Sequence, residues 1–260
     1  MHSRLTGALA GLALLGLAGT AEAVPVDLEL SLVVDSSGSI SGSEFNQQIG
    51  GYSAAFRQTA VIESIVNSPN GIAVNTILFA STASEVIGYQ HLQTEQDVLD
   101  FADQLDEIDR ITGGTDIAAG IDLAVESLNS NAFESGNIII DVSGDGPQNE
   151  FGDPAASRDA AFTAGVSRIN GIAIGDDDLV AFYQSNVVGG VDSFVLQADG
   201  FDDFDAAIAR KIEIEVGADP DPDPQPDPDQ PTSVAAPGAI GMIGFGVFAL
   251  GWVMRRRPRA

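Results

Sequence analysis

An α/β fold with a mainly parallel central sheet between two helical layers is predicted from two patterns. Apolar, β-branched runs such as Leu28–Asp35 and Ile72–Phe79 alternate along the chain with segments of helical periodicity. The runs are mostly apolar, which is typical of parallel strands that are covered on both faces. Successive strand–helix–strand units with right-handed crossovers then give one three-layer α/β/α domain.

The remaining elements follow from the same patterns. Helical spacing of apolar residues runs from Ser43, which has the side chain of an N-cap, to Val66. Ile72–Phe79 and the short run Glu85–Tyr89 are separated by five residues, which predicts a hairpin and one antiparallel edge strand. Further helices are predicted at Glu95–Ile108, Thr115–Leu128, Pro154–Val166 and Phe204–Ile214, and further strands at Asn137–Val142, Gly171–Ile174 and Ser193–Leu196.

The two ends of the chain differ in composition from the folded region. Residues 1–23 contain an apolar run that ends in Ala21-Glu22-Ala23, so they are predicted to be a signal peptide that is cleaved after Ala23. Residues 24–218 are the predicted folded domain. In residues 219–233, proline alternates with aspartate, which favours an extended linker.

Residues 234–260 form a predicted short transmembrane or sorting tail. The stretch from Val234 to Met254 carries no charge and is followed at once by three arginines, the pattern of a membrane span with a basic cytoplasmic flank. Ala236-Pro237-Gly238, the glycine-rich apolar stretch and the arginines together resemble the PEP-CTERM sorting tails of Gram-negative bacteria. This resemblance implies a periplasmic or cell-surface protein whose tail is processed; a retained membrane anchor is the alternative.

Composition excludes several classes of function. The chain contains 38 acidic and 11 basic residues, a net charge of −27, and no cysteine. Such a charge repels nucleic acid, so no nucleic-acid partner is expected. Without cysteine, an exported protein has neither disulfides nor thiol chemistry, and its core must stabilise it.

Three polar loops carry the candidate chemistry. Asp35-Ser36-Ser37-Gly38-Ser39 follows the first strand directly, Gly113-Gly114-Thr115 precedes a helix, and Ser143-Gly144-Asp145-Gly146 follows the strand that begins at Asn137. Carboxylate and hydroxyl oxygens suit Mg²⁺, Mn²⁺ or Ca²⁺ better than zinc or copper. Ligands of open parallel sheets bind at the carboxyl ends of the strands where the strand order reverses. We therefore expect the loops of Asp35 and Asp145 to meet.

These loops resemble the metal-ion-dependent adhesion site of von Willebrand factor A (VWA) domains, and the likeness extends over residues 28–214. The resemblance implies a Rossmann-like VWA fold and a metal bound by Asp35, Ser37, Ser39, Thr115 and Asp145. It further implies that the hydroxyls bind the ion directly, that the aspartates bind it directly or through water, and that one open position takes an Asp or Glu of a partner protein. The sequence departs from the family in having Ser-Gly-Asp-Gly where Thr-Asp-Gly is usual. Asp141 adds an upstream carboxylate, which we interpret as a supporting or strand-end residue and not as a metal ligand.

The expected function is that of an exported, metal-dependent protein-binding or adhesion module. An enzyme is not expected, because no histidine, cysteine or lysine is placed beside the loops to act as a base or nucleophile. Nucleotide binding is excluded by the absence of a Gly-x-Gly-x-x-Gly motif and of a Walker lysine. A metal-dependent hydrolase and a structural component of an extracellular matrix are the alternatives.

Overall fold

The protein is described here by a computed structural model over residues 23–218, which form nine strands and seven helices. In chain order these are β1 (Val24–Pro25), β2 (Leu28–Asp35), α1 (Gly42–Phe56), α2 (Thr59–Asn67), β3 (Ile72–Phe79), β4 (Ala83–Leu92), α3 (Glu95–Asp106), α4 (Ile117–Ser130), β5 (Phe133–Glu134), β6 (Ile138–Gly144), α5 (Pro154–Thr163), β7 (Arg168–Ile174), α6 (Asp177–Asn186), β8 (Gly189–Gly190), β9 (Val195–Ala198) and α7 (Phe201–Glu215). Except for Ala23, the predicted signal peptide, linker and tail lie outside the described residues. Within this range, none of the helices has the length and apolar character needed to cross a membrane.

The central sheet has the strand order β4-β3-β2-β6-β7. Strand β2 pairs in parallel with β3 on one side and with β6 on the other. The antiparallel edge strand predicted after β3 is confirmed as β4. At the other edge, β7 pairs in parallel with β9 and, over two residues, antiparallel with β8. The predicted α/β class, with a mainly parallel sheet, is therefore confirmed.

Helices cover both faces of this sheet, as three layers require. Leu30, Leu32 and Val34 of β2 are fully buried and belong to a core shared with α1, α2, α3 and α7. Val33 points to the opposite face, where the core is shared with α4, α5 and α6. Side chains alternate along β2, so its leucines and Val34 supply one core and Val33 supplies the other. Glu29, Ser31 and Asp35 share the face of Val33 and are buried polar residues.

The predicted helix from Ser43 to Val66 is wrong in two respects. It consists of two helices, α1 and α2, because Gln58 between them has an extended backbone. Its N-cap is Ser41: Ser41 Oγ accepts a hydrogen bond from the amide of Glu44, and the Glu44 carboxylate accepts one from the amide of Ser41. This reciprocal capping box places the N-cap of α1 two residues before Ser43.

The predicted helix start at Thr115 is also wrong, because α4 begins at Ile117 and Asp116 caps it through a hydrogen bond from the amide of Ala119. Helix α6 was not predicted, since its opening run of aspartates is typical of a turn; Asp176 in fact caps it. The predicted bounds of β2 and β3 agree with the structure, and each of the other predicted elements is present with at least one end shifted. The longest extensions, of three residues each, are those of β4 at its end and of β7 and α7 at their starts.

Candidate metal site

The loops that carry Asp35 and Asp145 follow the two neighbouring central strands, β2 and β6. Val34 of β2 lies opposite Ser143 of β6 in the register, so the two loops begin side by side. The chain leaves β2 towards α1 on one face and leaves β6 towards α5 on the other. This divergence opens a crevice at the carboxyl ends of the strands, where the sequence predicts a ligand site.

Four of the five predicted ligands form a continuous row of contacts. The amide of Ser37 donates a hydrogen bond of 2.7 Å to Asp35 Oδ1. The Ser37 and Ser39 hydroxyl oxygens are 3.0 Å apart, and Ser39 Oγ donates to Asp145 Oδ1 at 2.7 Å. Asp35 is fully buried whereas Ser39 is exposed, so the row of oxygens leads from the interior to the surface.

Thr115, the fifth predicted ligand, lies in a loop that packs on the same row. The amide of Gly38 donates a hydrogen bond of 2.8 Å to the carbonyl oxygen of Gly113. Thr115 itself is buried and bonds to Asn149 of the β6–α5 loop: its amide donates to Asn149 Oδ1, and its hydroxyl accepts from Asn149 Nδ2. The loops are thus adjacent, and the hydroxyl of Thr115 is oriented by a residue that the sequence did not indicate.

Asp35 is the most electrostatically perturbed group of the row. Burial raises the pKa of its carboxyl group to about 7, although hydrogen bonds from Ser37 oppose the shift. Asp35 Oδ2 has no hydrogen-bond partner among the described residues, and neither has the buried hydroxyl of Tyr183. A Cβ atom at Gly144 would lie 2.7 Å from both of these oxygens. The absence of a side chain at Gly144 therefore keeps a small space open beside an unpartnered carboxylate oxygen.

Asp145 is half-buried at the outer end of the row. Burial raises its pKa, and the charge of Glu44 acts in the same direction, while the hydrogen bond from Ser39 lowers it. The charge of Asp145 in turn helps to raise the pKa of Asp35. A bound cation would relieve both effects, because an opposite charge nearby favours the ionised form of a carboxyl group. Residues 23–218 contain no cluster of three or more His, Cys, Asp or Glu side chains arranged for a metal, so the candidate donors are two carboxylates and hydroxyls.

Several residues that hold the first loop were missed by sequence reasoning. Arg110 donates from its guanidinium group to the carbonyl oxygen of Ser37 at 2.6 Å, and Gln48 Nε2 donates to the carbonyl oxygen of Asp35 at 3.1 Å. Ser36 Oγ donates to the carbonyl oxygen of Ile111 at 2.6 Å. These contacts join residues 13 to 75 positions apart, and no local motif signals them.

The surface around the row combines acidic and apolar side chains. A groove beside Asp145 is lined by Pro147, Gly175, Asp176, Asp178, Leu179 and Phe182. On the loop that carries Asn149, the side chain of Phe151 is completely exposed. That loop therefore presents an apolar ring to solvent.

Comparison of the sequence with models of known protein families gives one match. A family model described as a protein of unknown function, DUF1194, matches residues 25–220, three quarters of the chain. The chain belongs to this family. Among curated proteins, none matches this DUF1194 sequence.

Solved structures of other proteins share the fold of this DUF1194 domain. Proximal thread matrix protein 1 from the mussel byssus is 18% identical with a TM-score of 0.56, over 74% of this chain and 47% of that one. The pilus adhesin SpaC from Lactobacillus rhamnosus GG is 15% identical with a TM-score of 0.56, over 74% of this chain and 31% of that one. This chain therefore spans less than half the length of either protein. A further structure of the mussel protein, with a TM-score of 0.52 and 18% identity, is described as having zinc in its metal-ion-dependent adhesion site (MIDAS) motif. The likeness establishes a VWA-like α/β fold.

Proposed function

We propose that this DUF1194 domain is an exported protein-binding module whose adhesion depends on a divalent cation. Asp35, Ser37, Ser39, Thr115 and Asp145 would hold Mg²⁺, or Mn²⁺ or Ca²⁺ in its place. The main support for the proposal is the row of hydrogen-bonded groups from Asp35 to Asp145. At its buried end, Asp35 Oδ2 has no hydrogen-bond partner among the described residues.

The donor set fits a hard divalent cation. It offers carboxylate oxygens and hydroxyls and neither sulfur nor imidazole, which is the preference of Mg²⁺, Mn²⁺ and Ca²⁺. The zinc in the mussel protein supports divalent binding in general and makes Zn²⁺ a necessary comparison. When bound, the cation would still attract an anion, because most of its direct ligands would be neutral hydroxyls; a partner's carboxylate is the complementary ligand.

The protein's own residues keep the donors in position. Arg110 and Gln48 hold the backbone of the first loop, so the hydroxyls of Ser37 and Ser39 need little rearrangement to bind an ion. Asn149 orients the hydroxyl of Thr115 from the opposite loop. Pre-positioned ligands reduce the entropy lost on binding.

The surrounding charge restricts the partner. With Asp176 and Asp178 beside Asp145, an acidic partner residue is repelled unless the cation is present, which makes binding conditional on the metal. The exposed ring of Phe151, on the loop that carries Asn149, offers apolar contact to a partner. We therefore propose a partner that presents one Asp or Glu within an otherwise neutral or basic, partly apolar surface.

Export to the periplasm or cell surface, with a C-terminal tail that is anchored or processed, is part of the same proposal. Two of the proteins that share this fold are, by their names, a pilus adhesin and a matrix protein of the mussel byssus. A hydrolase receives no support from the described residues: Lys211 is buried, and His91 lies on edge strand β4.

The experiment is cation-dependent retention of cell-surface and matrix proteins on the immobilised chain. Retention in Mg²⁺ or Mn²⁺, release by a chelator and loss in a Ser39→Ala variant are expected. Ser43→Ala is the matched control, because Ser43 is a nearby hydroxyl on α1 outside the row. Retention that is indifferent to the chelator and equal in both variants would contradict the proposal.

A further inference from the structure

The only lysine of the 260-residue chain is buried in an ionic cluster on the α1–α7 face of the sheet. Lys211 of α7 is in direct contact with Asp141 Oδ1 of β6, and its Nζ lies 3.0 Å from Glu215 Oε1, one helical turn further on. All three side chains are 0% exposed. Tyr52 donates a hydrogen bond to Asp141 Oδ1 at 3.2 Å, and Asn170 Nδ2 donates to Glu215 Oε1 at 2.8 Å.

The charges and hydrogen bonds of this cluster do not balance if it is only an ion pair. It contains two carboxyl groups for one amine, and Asp141 Oδ2 and Glu215 Oε2 are buried without a hydrogen-bond partner among residues 23–218. Burial raises the pKa of Glu215 to about 7, against the lowering effect of Lys211. Removing charges from water is costly, and apolar side chains of similar volume often serve equally well in such places. A lysine at this one position therefore indicates chemistry that apolar residues lack.

We propose that Lys211 Nζ and Asp141 Cγ are joined by an intramolecular amide bond, formed after folding with Glu215 as the proton carrier. The reactants are the neutral amine and the neutral carboxylic acid, which differ from the ion pair by one proton moved across the contact. A buried site disfavours separated charges in general. It also holds the reacting atoms together, which replaces a bimolecular encounter by a unimolecular step.

The reaction balances without a co-reactant. The amine nitrogen attacks Asp141 Cγ, the N–C bond forms, and the C–O bond to one carboxyl oxygen breaks. Glu215 accepts a proton from the nitrogen and delivers a proton to the departing hydroxyl, so one water molecule leaves and no atom is oxidised or reduced. Glu215 suits this role because its carboxyl group contacts Nζ and because its pKa of about 7 lets it both give and take a proton near neutral pH.

The amide bond would give a cysteine-free exported domain a covalent tie that needs no oxidant. It would connect α7, the last helix of the described residues, to the central strand β6, which leads into the loop of Asp145. A load applied to the chain beyond residue 218 would then be carried directly by the sheet. The tie would also convert the charged pair at the centre of the cluster into a neutral amide.

The test is peptide mass mapping of the purified full chain after trypsin digestion. The proposal predicts that cleavage after Lys211 is absent, and that the peptide 111–158 is covalently joined to the peptide that begins at residue 211. The joined species should be one water molecule lighter than the sum of its parts. Free peptide 111–158 together with complete cleavage after Lys211 would overturn the proposal, and this measurement requires no variant.

Three substitutions distinguish an amide bond between Lys211 and Asp141 from a buried ion pair. Lys211→Arg keeps the positive charge but should leave the peptide 111–158 free. Glu215→Gln should slow or abolish the joining while keeping the size of the side chain. Asp141→Asn should form the same amide with loss of ammonia, so its final intact mass should equal that of the unsubstituted chain; a mass that keeps the difference between the two side chains would count against the reaction.

Discussion

The hydroxyl of Ser39 donates a hydrogen bond of 2.7 Å to Asp145 Oδ1, across 106 residues of sequence. This bond joins the loop after β2 to the loop after β6 at the point where the two strands end. Because Ser39 is exposed and Asp145 is half-buried, the pair lies at the surface end of the row that begins at Asp35. The two halves of the candidate site are therefore in direct contact.

Removing the hydroxyl of Ser39 should affect cation binding much more than stability. A Ser39→Ala variant loses one donor and the hydrogen bond to a carboxylate, so its cation affinity should fall roughly tenfold or more, about 1.4 kcal/mol. Because Ser39 is exposed, its free energy of unfolding should change by less than about 1 kcal/mol. Calorimetric titration and urea denaturation measure the two quantities, and equal affinities for Ser39→Ala and Ser43→Ala would exclude this role.

A methyl group at Gly144 should close the space beside Asp35. The Cβ atom would lie 2.7 Å from both Asp35 Oδ2 and the Tyr183 hydroxyl, so Gly144→Ala should destabilise the fold by about 1–3 kcal/mol and weaken cation binding. Gly136→Ala is the matched control, because nothing lies within 4 Å of its added Cβ atom. Denaturation and titration of both variants check this, and two indistinguishable variants would show that the space is unimportant.

The buried carboxyl group of Glu215 should make stability depend on pH. In the folded state its pKa is raised from 4.5 to about 7, so the folded protein holds a proton that the unfolded chain has already released. Its contribution to the free energy of unfolding should therefore fall as pH rises through this window, by at most roughly 3 kcal/mol. Urea denaturation at about pH 5 and about pH 8 should show a smaller decrease in Glu215→Gln than in the unsubstituted chain. The same decrease in both would mean that other groups cause it.

The ring of Phe151 should contribute to partner binding and not to folding. Its side chain is completely exposed, so Phe151→Ala should leave the free energy of unfolding within about 0.5 kcal/mol. Loss of apolar contact should weaken cation-dependent retention by about 1–2 kcal/mol, as for interface aromatics in general. Val191→Ala, at a second exposed apolar side chain, is the control; equal retention by the two variants would place the partner elsewhere.

The strands were predictable because burial on both faces makes them mostly apolar runs. The predicted bounds of β2 and β3 agree with the structure at every residue. Helix ends were less predictable, since they depend on which of several neighbouring polar residues provides the cap. Ser41 rather than Ser43 begins α1, because only Ser41 has a glutamate three residues later to complete a capping box.

The candidate site was predictable as three loops but not as a set of contacts. The proximity of Asp35 to Asp145 follows from the order of parallel strands, which the apolar runs reveal. The positions of Arg110 and Asn149 depend on loop packing between distant segments, and no spacing rule describes it. The contact of Lys211 with Asp141 likewise arises only when α7 packs on β6 in the folded protein.

The most direct test of the proposed cation site is calorimetric titration of Mg²⁺, Mn²⁺, Ca²⁺ and Zn²⁺ into the purified chain. The comparison is an Asp35→Asn, Ser37→Ala double variant, with Asp122→Asn on α4 as a control for the lost charge. We expect saturable binding of a divalent cation by the unsubstituted chain and by Asp122→Asn, and its loss in the double variant. Equal, weak and unsaturated binding by all three would contradict it and leave the row from Asp35 to Asp145 as a polar loop contact.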